Sequence, residues 1–244
     1  MAWRGLTAES EVTIDRALLF ESNAFCIPGG ELAVSYPVPA RDGDLRPGKR
    51  DYNIVWYRPT EPDTALVDLL TDASGRCHTG GIPPPLIRPD VIAAVKASAR
   101  ARIAPQIADI FCRSQPFFQP IFDLESPQTV FGRVALLGDA AFVARPHVGA
   151  GVTKAALDAA SLADATADDD LVAGLQRYQS AQQPFGSGLV ALGREEGAYL
   201  SAQLKPRDQR TPAELHRDIN DVLHAHNSRS ENLRSVLVGS RRAS

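Results

Sequence analysis

The segment 132–158 combines residue types and spacing that suit the binding of a polar ligand. An apolar run ends at Gly138-Asp139, and after a loop Gly149-Ala150-Gly151 leads directly into a helix-forming sequence. A carboxylate at the carboxyl end of a strand lies where ligands bind α/β sheets, and it can accept hydrogen bonds from sugar or sugar-alcohol hydroxyls. Free N–H groups at a helix N-terminus stabilise negative charge. The pattern therefore predicts that Asp139 holds a hydroxyl-bearing chain and that residues 149–153 face an anionic ring edge.

A purely structural interpretation fits the same spacing. Strand–loop–helix units that contain glycines are common in α/β proteins, and Asp139 would then serve only as an N-cap or a turn former. Spacing alone leaves these two interpretations open.

His147 lies inside the same loop and is the candidate catalytic residue. Because histidine titrates near neutral pH, it can orient or deprotonate a hydroxylated substrate. It can equally be a loop histidine that satisfies backbone groups. We predict no metal site, since His224 and His226 are two residues apart on a predicted helix and the three cysteines form no C-x-x-C pair.

The elements that would position these residues begin with a β-rich first third. Short apolar runs predict strands over 23–28 and 31–38, joined by the turn signal Pro28-Gly29-Gly30. A third strand over 51–57 has bulky side chains on both faces, which predicts a central position in a covered sheet. Three helices and an extended stretch follow, predicted at 64–70, from Pro89, from Pro105 and at 117–122.

The last third predicts one short strand, 133–137, followed by helices. Helical patterns cover 153–166, 171–182 and an amphipathic stretch to Leu204, in which Pro184 marks a new start or a kink. Thr211-Pro212-Ala213-Glu214 has the form of a capping box that opens a last helix to residue 223, with Leu215 buried. We expect three parts, namely a substrate-binding sheet with covering helices in 1–130, the strand–loop–helix in 131–166 and C-terminal helices in 167–244.

Composition limits the functional classes. The 244 residues carry a formal charge of −3 at pH 7, which argues against an electrostatic binder of nucleic acid. No apolar stretch approaches the roughly 20 residues of a membrane-spanning helix, and the first residues show no signal-peptide pattern. We expect a cytoplasmic protein that binds neither nucleic acid nor a membrane.

The loop sequence resembles the second flavin motif of the class A flavoprotein monooxygenases, the FAD-dependent aromatic hydroxylases similar to para-hydroxybenzoate hydroxylase. That motif runs Gly-Asp-Ala-Ala-His, three residues, Pro, two residues, Gly-Gln-Gly, one residue, Asn, and then a helix with Asp-Ala. The corresponding residues here are Gly138-Asp139-Ala140-Ala141-Phe142, Pro146, Gly149-Ala150-Gly151, Thr153 and Asp158-Ala159. The departures from the motif are Phe142, Ala150 and Thr153.

Further segments resemble the 2,6-dihydroxypyridine 3-monooxygenase branch of this family. They are Arg145-Pro146-His147, Lys154-Ala155, 52–59, 117–121 and the opening Ala2-Trp3-Arg4-Gly5. The likeness therefore extends over most of the chain.

The resemblance implies FAD as the cofactor and NAD(P)H as the electron donor. Asp139, with Gly138, would hold the ribityl chain, and Pro146 would lie against the flavin. Backbone N–H groups of Gly149, Ala150, Gly151, Val152 and Thr153 would face the pyrimidine edge and favour the anionic reduced flavin. In the family O2 adds to the reduced flavin to give a C4a-hydroperoxide, which hydroxylates an electron-rich aromatic or N-heteroaromatic ring such as a dihydroxypyridine or a hydroxybenzoate.

A small aromatic substrate would lie against the early strands. The candidate substrate residues are Tyr36, Asn53, Trp56, Phe118 and Gln119. For each of them a place in the core is the alternative, because aromatic residues on a sheet are usually core residues.

The family's first motif, a strand–G-x-G-x-x-G–helix unit that binds the ADP half of FAD, is absent from these residues. The resemblance therefore implies the carboxyl-terminal portion of an α/β FAD/NAD(P)-binding monooxygenase fold, α+β-like as a fragment, with an antiparallel substrate sheet and C-terminal helices. We expect low stability or self-association of the isolated chain. The expected partner is a second copy of the chain, in a homodimer, or a separate N-terminal half. The alternative is a non-catalytic fragment or a helix-rich binding or assembly module that has lost the dinucleotide site.

Overall fold

A computed structural model describes residues 1–14, 16–167 and 170–215. The chain divides into two compact units. The sheet unit comprises Met1–Pro120 and Leu200–Gln209, and the loop unit comprises Ile121–Tyr199 and the described residues from Arg210 on. The predicted helix beyond Leu215, with His224 and His226, lies outside the described residues.

The sheet unit is built on a five-stranded antiparallel sheet with the order β2-β3-β4-β1-β5. Its strands are β1 (Ala2–Ala8), β2 (Ala24–Cys26), β3 (Leu32–Val38), β4 (Asp51–Tyr57) and β5 (Phe117–Gln119). The central position predicted for β4 is confirmed, and β2 and β3 form the predicted antiparallel pair.

Strand β1 has no counterpart in the sequence-based prediction. Gly5 interrupts its apolar pattern, and glycine weakens the sequence signal of a strand. The structure gives the reason for this glycine, because a Cβ at Gly5 would lie 2.5 Å from Ser114 Oγ. The missing side chain thus allows strand β1 to pack closely on Ser114.

The helices of the sheet unit cover one face of the sheet. They are α1 (Arg16–Phe20), α2 (Ala65–Leu69), α3 (Pro89–Arg102) and α4 (Pro105–Arg113). Proline occupies the first turn of both α3 and α4, where its missing N–H costs no hydrogen bond. Val95 and Phe111 join Ile54 and Trp56 in one buried cluster, with the Trp56 and Phe111 rings edge to face at 5.9 Å. This face of the sheet, the first face, is therefore the core of the sheet unit.

The loop unit contains two small antiparallel pairs and long helices. Its elements are β6 (Leu124–Glu125), β7 (Val130–Phe131), β8 (Val134–Ala135), β9 (Phe142–Val143), α5 (Gly151–Ala165), α6 (Leu171–Ala202) and α7 (Pro212–Leu215). Strand β6 pairs with β9 and strand β7 pairs with β8, while the last three residues of α6 belong to the sheet unit.

Three predictions for the loop unit need correction or completion. The strand predicted over 133–137 is only the two residues of β8, which pair with the unpredicted β7 across a turn where Gly132 has φ 62°. Helix α6 continues through Pro184 to Ala202, so no new helix starts there. The capping box at α7 is confirmed by reciprocal bonds between Thr211 and Glu214, but Leu215 is 39 % exposed, so its predicted burial is wrong.

Two classes of site have no support in the described part of the chain. None of its helices is long and apolar enough to cross a membrane. Its His, Cys, Asp and Glu side chains form no group that could hold a metal ion.

Candidate functional site

The turn that carries Asp139 is held by a buried ion pair. Gly138 begins a 3-10 turn with φ 59°, a left-handed conformation that favours glycine. Its N–H donates to Asp158 Oδ2 at 2.8 Å, and its carbonyl accepts from Lys154 Nζ at 3.0 Å. Lys154 and Asp158 also pair with each other at 2.6 Å, and both side chains are almost fully buried. Both polar groups of the Gly138 residue are therefore fixed to helix α5.

The residues just before this turn are held from a second side. Tyr178 of α6 donates its hydroxyl to the Leu136 carbonyl at 2.9 Å, and the Leu136 N–H donates to Thr129 at 2.8 Å. Burial and the nearby Asp158 carboxylate raise the pKa of Tyr178 to about 12, so its hydroxyl remains a donor at neutral pH. The backbone leading to Asp139 is thus constrained on both sides.

Asp139 itself projects from this constrained turn as an exposed residue. Among the described residues none donates a hydrogen bond to its carboxylate, and no side chain caps the turn. Asp139 is therefore neither an N-cap nor the turn former, since Gly138, Lys154 and Asp158 fix the turn. The carboxylate is available to accept hydrogen bonds from a ligand.

The start of helix α5 is open. Pro146–Val148 form a second 3-10 turn, and Gly149 follows with φ 61°. No side chain caps α5, its first turn holds no acidic residue, and Val152 is 88 % exposed. A Cβ at Gly149 or Gly151 would meet no atom within 4 Å. An uncapped first turn of a 15-residue helix offers N–H donors and positive potential to an acceptor or an anion.

Lys154 links these two parts of the candidate site. It belongs to the first turns of α5, and its ammonium reaches back to the Gly138 carbonyl. The exposed carboxylate and the open helix N-terminus are therefore parts of one tied segment. This arrangement can hold a ligand that offers hydroxyl donors to Asp139 and acceptors or negative charge to the helix.

His147 lies in the Pro146–Val148 turn and is packed against helix α6. A Cβ at Gly197 would lie 2.7 Å from His147 Cδ2, so this glycine makes room for the imidazole. The neighbouring Arg145 pairs with Asp123 at 2.7 Å, and Arg194 pairs with the same carboxylate at 3.2 Å. Burial raises the pKa of Asp123, but the Arg145 hydrogen bond and charge outweigh it and hold the pKa below its usual value. His147 is thus anchored beside an ion-pair cluster, whereas Pro146 is exposed.

Three of the five candidate substrate residues share the second face of the sheet, opposite the helix-covered face. Residues that pair directly across antiparallel strands project to the same face. Tyr36 pairs with Asn53, Asn53 with Leu6, and Gln119 with Ala2 of the same strand as Leu6. The structure therefore brings Tyr36, Asn53 and Gln119 to one face.

Trp56 and Phe118 lie on the first face, in the core between the sheet and its helices. Trp56 is fully buried and donates Nε1–H to Glu31 at 2.9 Å. Phe118 packs against Trp3 with ring centroids 4.9 Å apart and the ring planes tilted by 55°. For these two residues the structure favours the core alternative over a place in a pocket wall.

Arg4 and Lys154 lie in segments that resemble the family, but the sequence alone predicts no role for either. A physical signal for Lys154 was present, since Lys154 and Asp158 are four residues apart in an Ala-rich helix and so lie on one side of it. Arg4 gave no such signal, because its partners come from distant strands.

A family model described as FAD binding domain-like matches residues 1–123. The chain belongs to this family. The expected resemblance to FAD-dependent hydroxylases is confirmed, and so is the mixed α/β fold with an antiparallel sheet and C-terminal helices.

Individual relatives agree with this assignment. The chain is 29 % identical over 189 residues to 2,6-dihydroxypyridine 3-monooxygenase of Paenarthrobacter nicotinovorans, and 29 % identical over 215 residues to the phenazine 1,6-dicarboxylic acid hydroxylase PhzS of Lysobacter antibioticus. These matches cover 76 % and 86 % of the chain, but 47 % and 48 % of the relatives. The chain thus spans about half the length of these two relatives.

The fold itself also matches a solved structure. 2,6-Dihydroxypyridine-3-hydroxylase from Arthrobacter nicotinovorans superposes with a TM-score of 0.74 at 25 % identity, over 87 % of this chain and 53 % of that one. The same architecture occurs in a salicylate hydroxylase, with a TM-score of 0.54 at 18 % identity, a likeness of fold alone.

Proposed function

We propose that this chain forms the substrate sheet and the second flavin-binding segment of an FAD-dependent monooxygenase. The reaction is hydroxylation of an electron-rich aromatic or N-heteroaromatic ring with O2, and NAD(P)H is the electron donor. The observation that carries the proposal is the exposed Asp139 carboxylate on a turn tied by Lys154 to an open helix N-terminus, in a chain of the FAD binding domain-like family.

The residues present fit a flavin. Asp139 would accept hydrogen bonds from the ribityl hydroxyls, and Pro146 is exposed for contact with the ring. The N–H groups of 149–153 would face the acceptor-rich pyrimidine edge, where an uncapped helix N-terminus favours negative charge. FAD supplies the redox chemistry and the reaction with O2 when it is bound.

The second face of the sheet would bind the substrate. Asn53 and Gln119 offer amide groups and Tyr36 an aromatic ring and a hydroxyl, so together they can orient a flat polar ring. Within the 142–153 segment we propose His147 as the residue that orients or deprotonates a hydroxylated substrate, because an imidazole can act as a general base.

We also propose where the remaining contacts to FAD come from and where in the cell the activity is located. The sequence contains no G-x-G-x-x-G unit, and the chain spans about half the length of its relatives. We propose that contacts to the adenosine half of FAD come from outside these 244 residues. We place the activity in the cytoplasm.

Replacement of Asp139 tests the flavin site. We expect Asp139→Ala to weaken the binding of FAD and riboflavin by about tenfold, because it removes hydrogen bonds to a carboxylate. Fluorescence titration with riboflavin, which has the ribityl chain, and with lumiflavin, which lacks it, measures the effect. Lumiflavin binding should be unchanged.

Asp164→Ala is the matched control, since it removes an exposed carboxylate at the far end of the same helix. Unchanged riboflavin affinity in Asp139→Ala would remove Asp139 from the site. A wild-type protein that binds neither flavin would favour the non-catalytic binding or assembly module instead.

A further inference from the structure

Two buried donors on the second face of the sheet have no acceptor. Asn53 is 6 % exposed, and its Nδ2 has no hydrogen-bond partner within the described chain. The same holds for Nε of Arg4, which is also buried from solvent. Buried donors are almost always satisfied in native proteins, so two on one face point to an acceptor that is not part of the described residues.

Register places these two donors near each other. Arg4 pairs with Val55 and Leu6 pairs with Asn53, so Arg4 and Asn53 are diagonal neighbours on the same face. Such neighbours lie roughly 7–8 Å apart at Cα, within reach of one small ring for a side chain as long as arginine.

Phenol groups flank the pair. Tyr57 is two residues from Val55 on the same face, and Tyr36 pairs directly with Asn53. Burial raises the pKa of Tyr57 well above its usual value, with Tyr36 adding to the effect and the Arg4 charge opposing it. Tyr57 therefore remains a neutral phenol and adds no negative charge to the face.

The charge of Arg4 is not balanced locally. Its Nη1 donates to the neutral Gln119 Oε1 at 3.2 Å, and its guanidinium lies 6.0 Å from the Phe117 ring centroid. Within the described chain no carboxylate forms an ion pair with it. A guanidinium with an unused Nε–H, next to an unused amide N–H, is complementary to an anionic oxygen.

We infer that Arg4 and Asn53 bind the aromatic substrate as an anion, with one ionised oxygen accepting from Arg4 Nε and Asn53 Nδ2. This inference rests on the proposed function, since it names the form of substrate taken by the same sheet face. The ionised oxygen is a deprotonated ring hydroxyl or a carboxylate, and both present the same acceptor to the two donors. Selection for the anion suits a hydroxylase, because ionisation makes the ring more electron-rich.

Two pairs of isosteric probes distinguish the sources of the anion. 4-Nitrophenol carries an ionisable hydroxyl where 4-nitrotoluene carries a methyl group of similar size, and benzoate carries a carboxylate where benzamide carries an amide. We would titrate each into the wild type and into Arg4→Gln, Arg4→Lys and Asn53→Asp, with binding measured by calorimetry. The 4-nitrophenolate absorption band gives a second readout, because a site for the anion increases that band on binding.

We expect Arg4→Gln to weaken the preferred anion by about tenfold or more and its neutral isostere by less than about threefold. Arg4→Lys should restore part of the affinity, since the charge returns without the Nε–H. Asn53→Asp should weaken the binding of the anion more than the loss of one hydrogen bond would, because the introduced carboxylate competes with the anion for Arg4. Arg113→Gln is the matched control, as it removes a half-exposed arginine on helix α4 of the same unit.

Each result decides one question. Equal loss of the anion and its neutral isostere in Arg4→Gln, or no loss of either, would overturn the inference while leaving the proposed function in place. A wild type that binds the neutral members as tightly as the anions would overturn it as well. A wild type that binds none of the four aromatic probes would contradict both the inference and the proposed substrate face, while flavin binding would still report on the cofactor site.

Discussion

At the scale of single residues, the buried pair of Lys154 and Asp158 is the clearest structural device of the loop unit. An ion pair inside a protein is costly unless its remaining hydrogen bonds are made. Here the Gly138 N–H and carbonyl supply them, so the pair is satisfied by the very turn that it holds. The ammonium also lies 5.5 Å from the centroid of the Phe142 ring. Phe142, a departure from the family motif, thus has a defined partner.

Lys154→Met should destabilise the protein by about 3–5 kcal/mol, because Asp158 would remain buried without its counter-charge. The double variant Lys154→Met/Asp158→Leu should recover much of this loss. Urea denaturation followed by tryptophan fluorescence or circular dichroism measures both. Lys49→Met, at an exposed position, is the control and should change stability little. A loss as large in the double variant as in the single one would show that the charge is not the cause.

The sequence predicted the position of Asp139 at a turn but not what fixes that turn. Its alternative, a residue that only caps or forms the turn, is disfavoured by contacts that involve Lys154, Asp158 and Tyr178. Such contacts join residues up to 42 positions apart. Periodicity and motif spacing do not contain that information.

At the scale of elements, packing between helix α6 and the loop before α5 depends on glycines. Gly186 lies where a Cβ would overlap the Phe142 ring, whereas Gly188 two residues later faces open space. The two positions are in the same helix but have opposite packing requirements.

Gly186→Ala should therefore destabilise by about 1–3 kcal/mol, because an added methyl in a filled site causes overpacking. Gly188→Ala should stabilise by up to about 1 kcal/mol, as expected for an exposed helix position. Thermal denaturation of both variants checks this pair. Equal effects in the two variants would mean that α6 does not pack on Phe142 as described.

The end of β1 is held by Glu9, which accepts from Arg50 at 3.0 Å and from Arg16 at 3.4 Å. Hydrogen bonds from Arg50, against the opposing effect of burial, lower the pKa of Glu9 to about 2. A carboxyl whose pKa is lower in the folded state stabilises the protein above its unfolded pKa, and this stabilisation is lost as the pH falls toward the folded pKa.

Between pH 5 and about pH 2 the wild type should thus lose stability more steeply than Glu9→Gln. Melting temperatures across this range would show the difference, and Glu11→Gln, an exposed neighbour, should follow the wild type. Parallel melting curves for the wild type and Glu9→Gln would contradict the assigned role of the Arg50 pair.

Most helices and strands could be predicted because their sequence signals lie within the element itself. The proline-opened helices α3 and α4 and the bulky strand β4 follow from residues within each segment. Strand β1 and the β7–β8 hairpin were missed because Gly5 serves a contact with a distant helix end and β7 has only two residues. At Pro184 the sequence left a new helix start or a kink open, and the structure has a single helix running through it.

At the scale of the whole molecule, the chain combines a sheet unit, which the family model matches, with a loop unit, which carries the candidate flavin contacts. The β7–β8 hairpin of the loop unit presents Phe131 and Val134, 50 % and 59 % exposed, on one face. Exposed apolar strands favour association, so the expected tendency to self-associate or to bind a second polypeptide stays a prediction. Sedimentation as a compact monomer would count against it.

The visible absorption spectrum of the purified full-length natural product, before and after addition of FAD, tests the central claim most directly. We predict a bound flavin spectrum, either as purified or after FAD is added, whose intensity falls in Asp139→Ala and not in Asp164→Ala. A colourless protein that takes up no FAD, alone or with a co-purified partner, would contradict the claim that these residues form part of a flavin site.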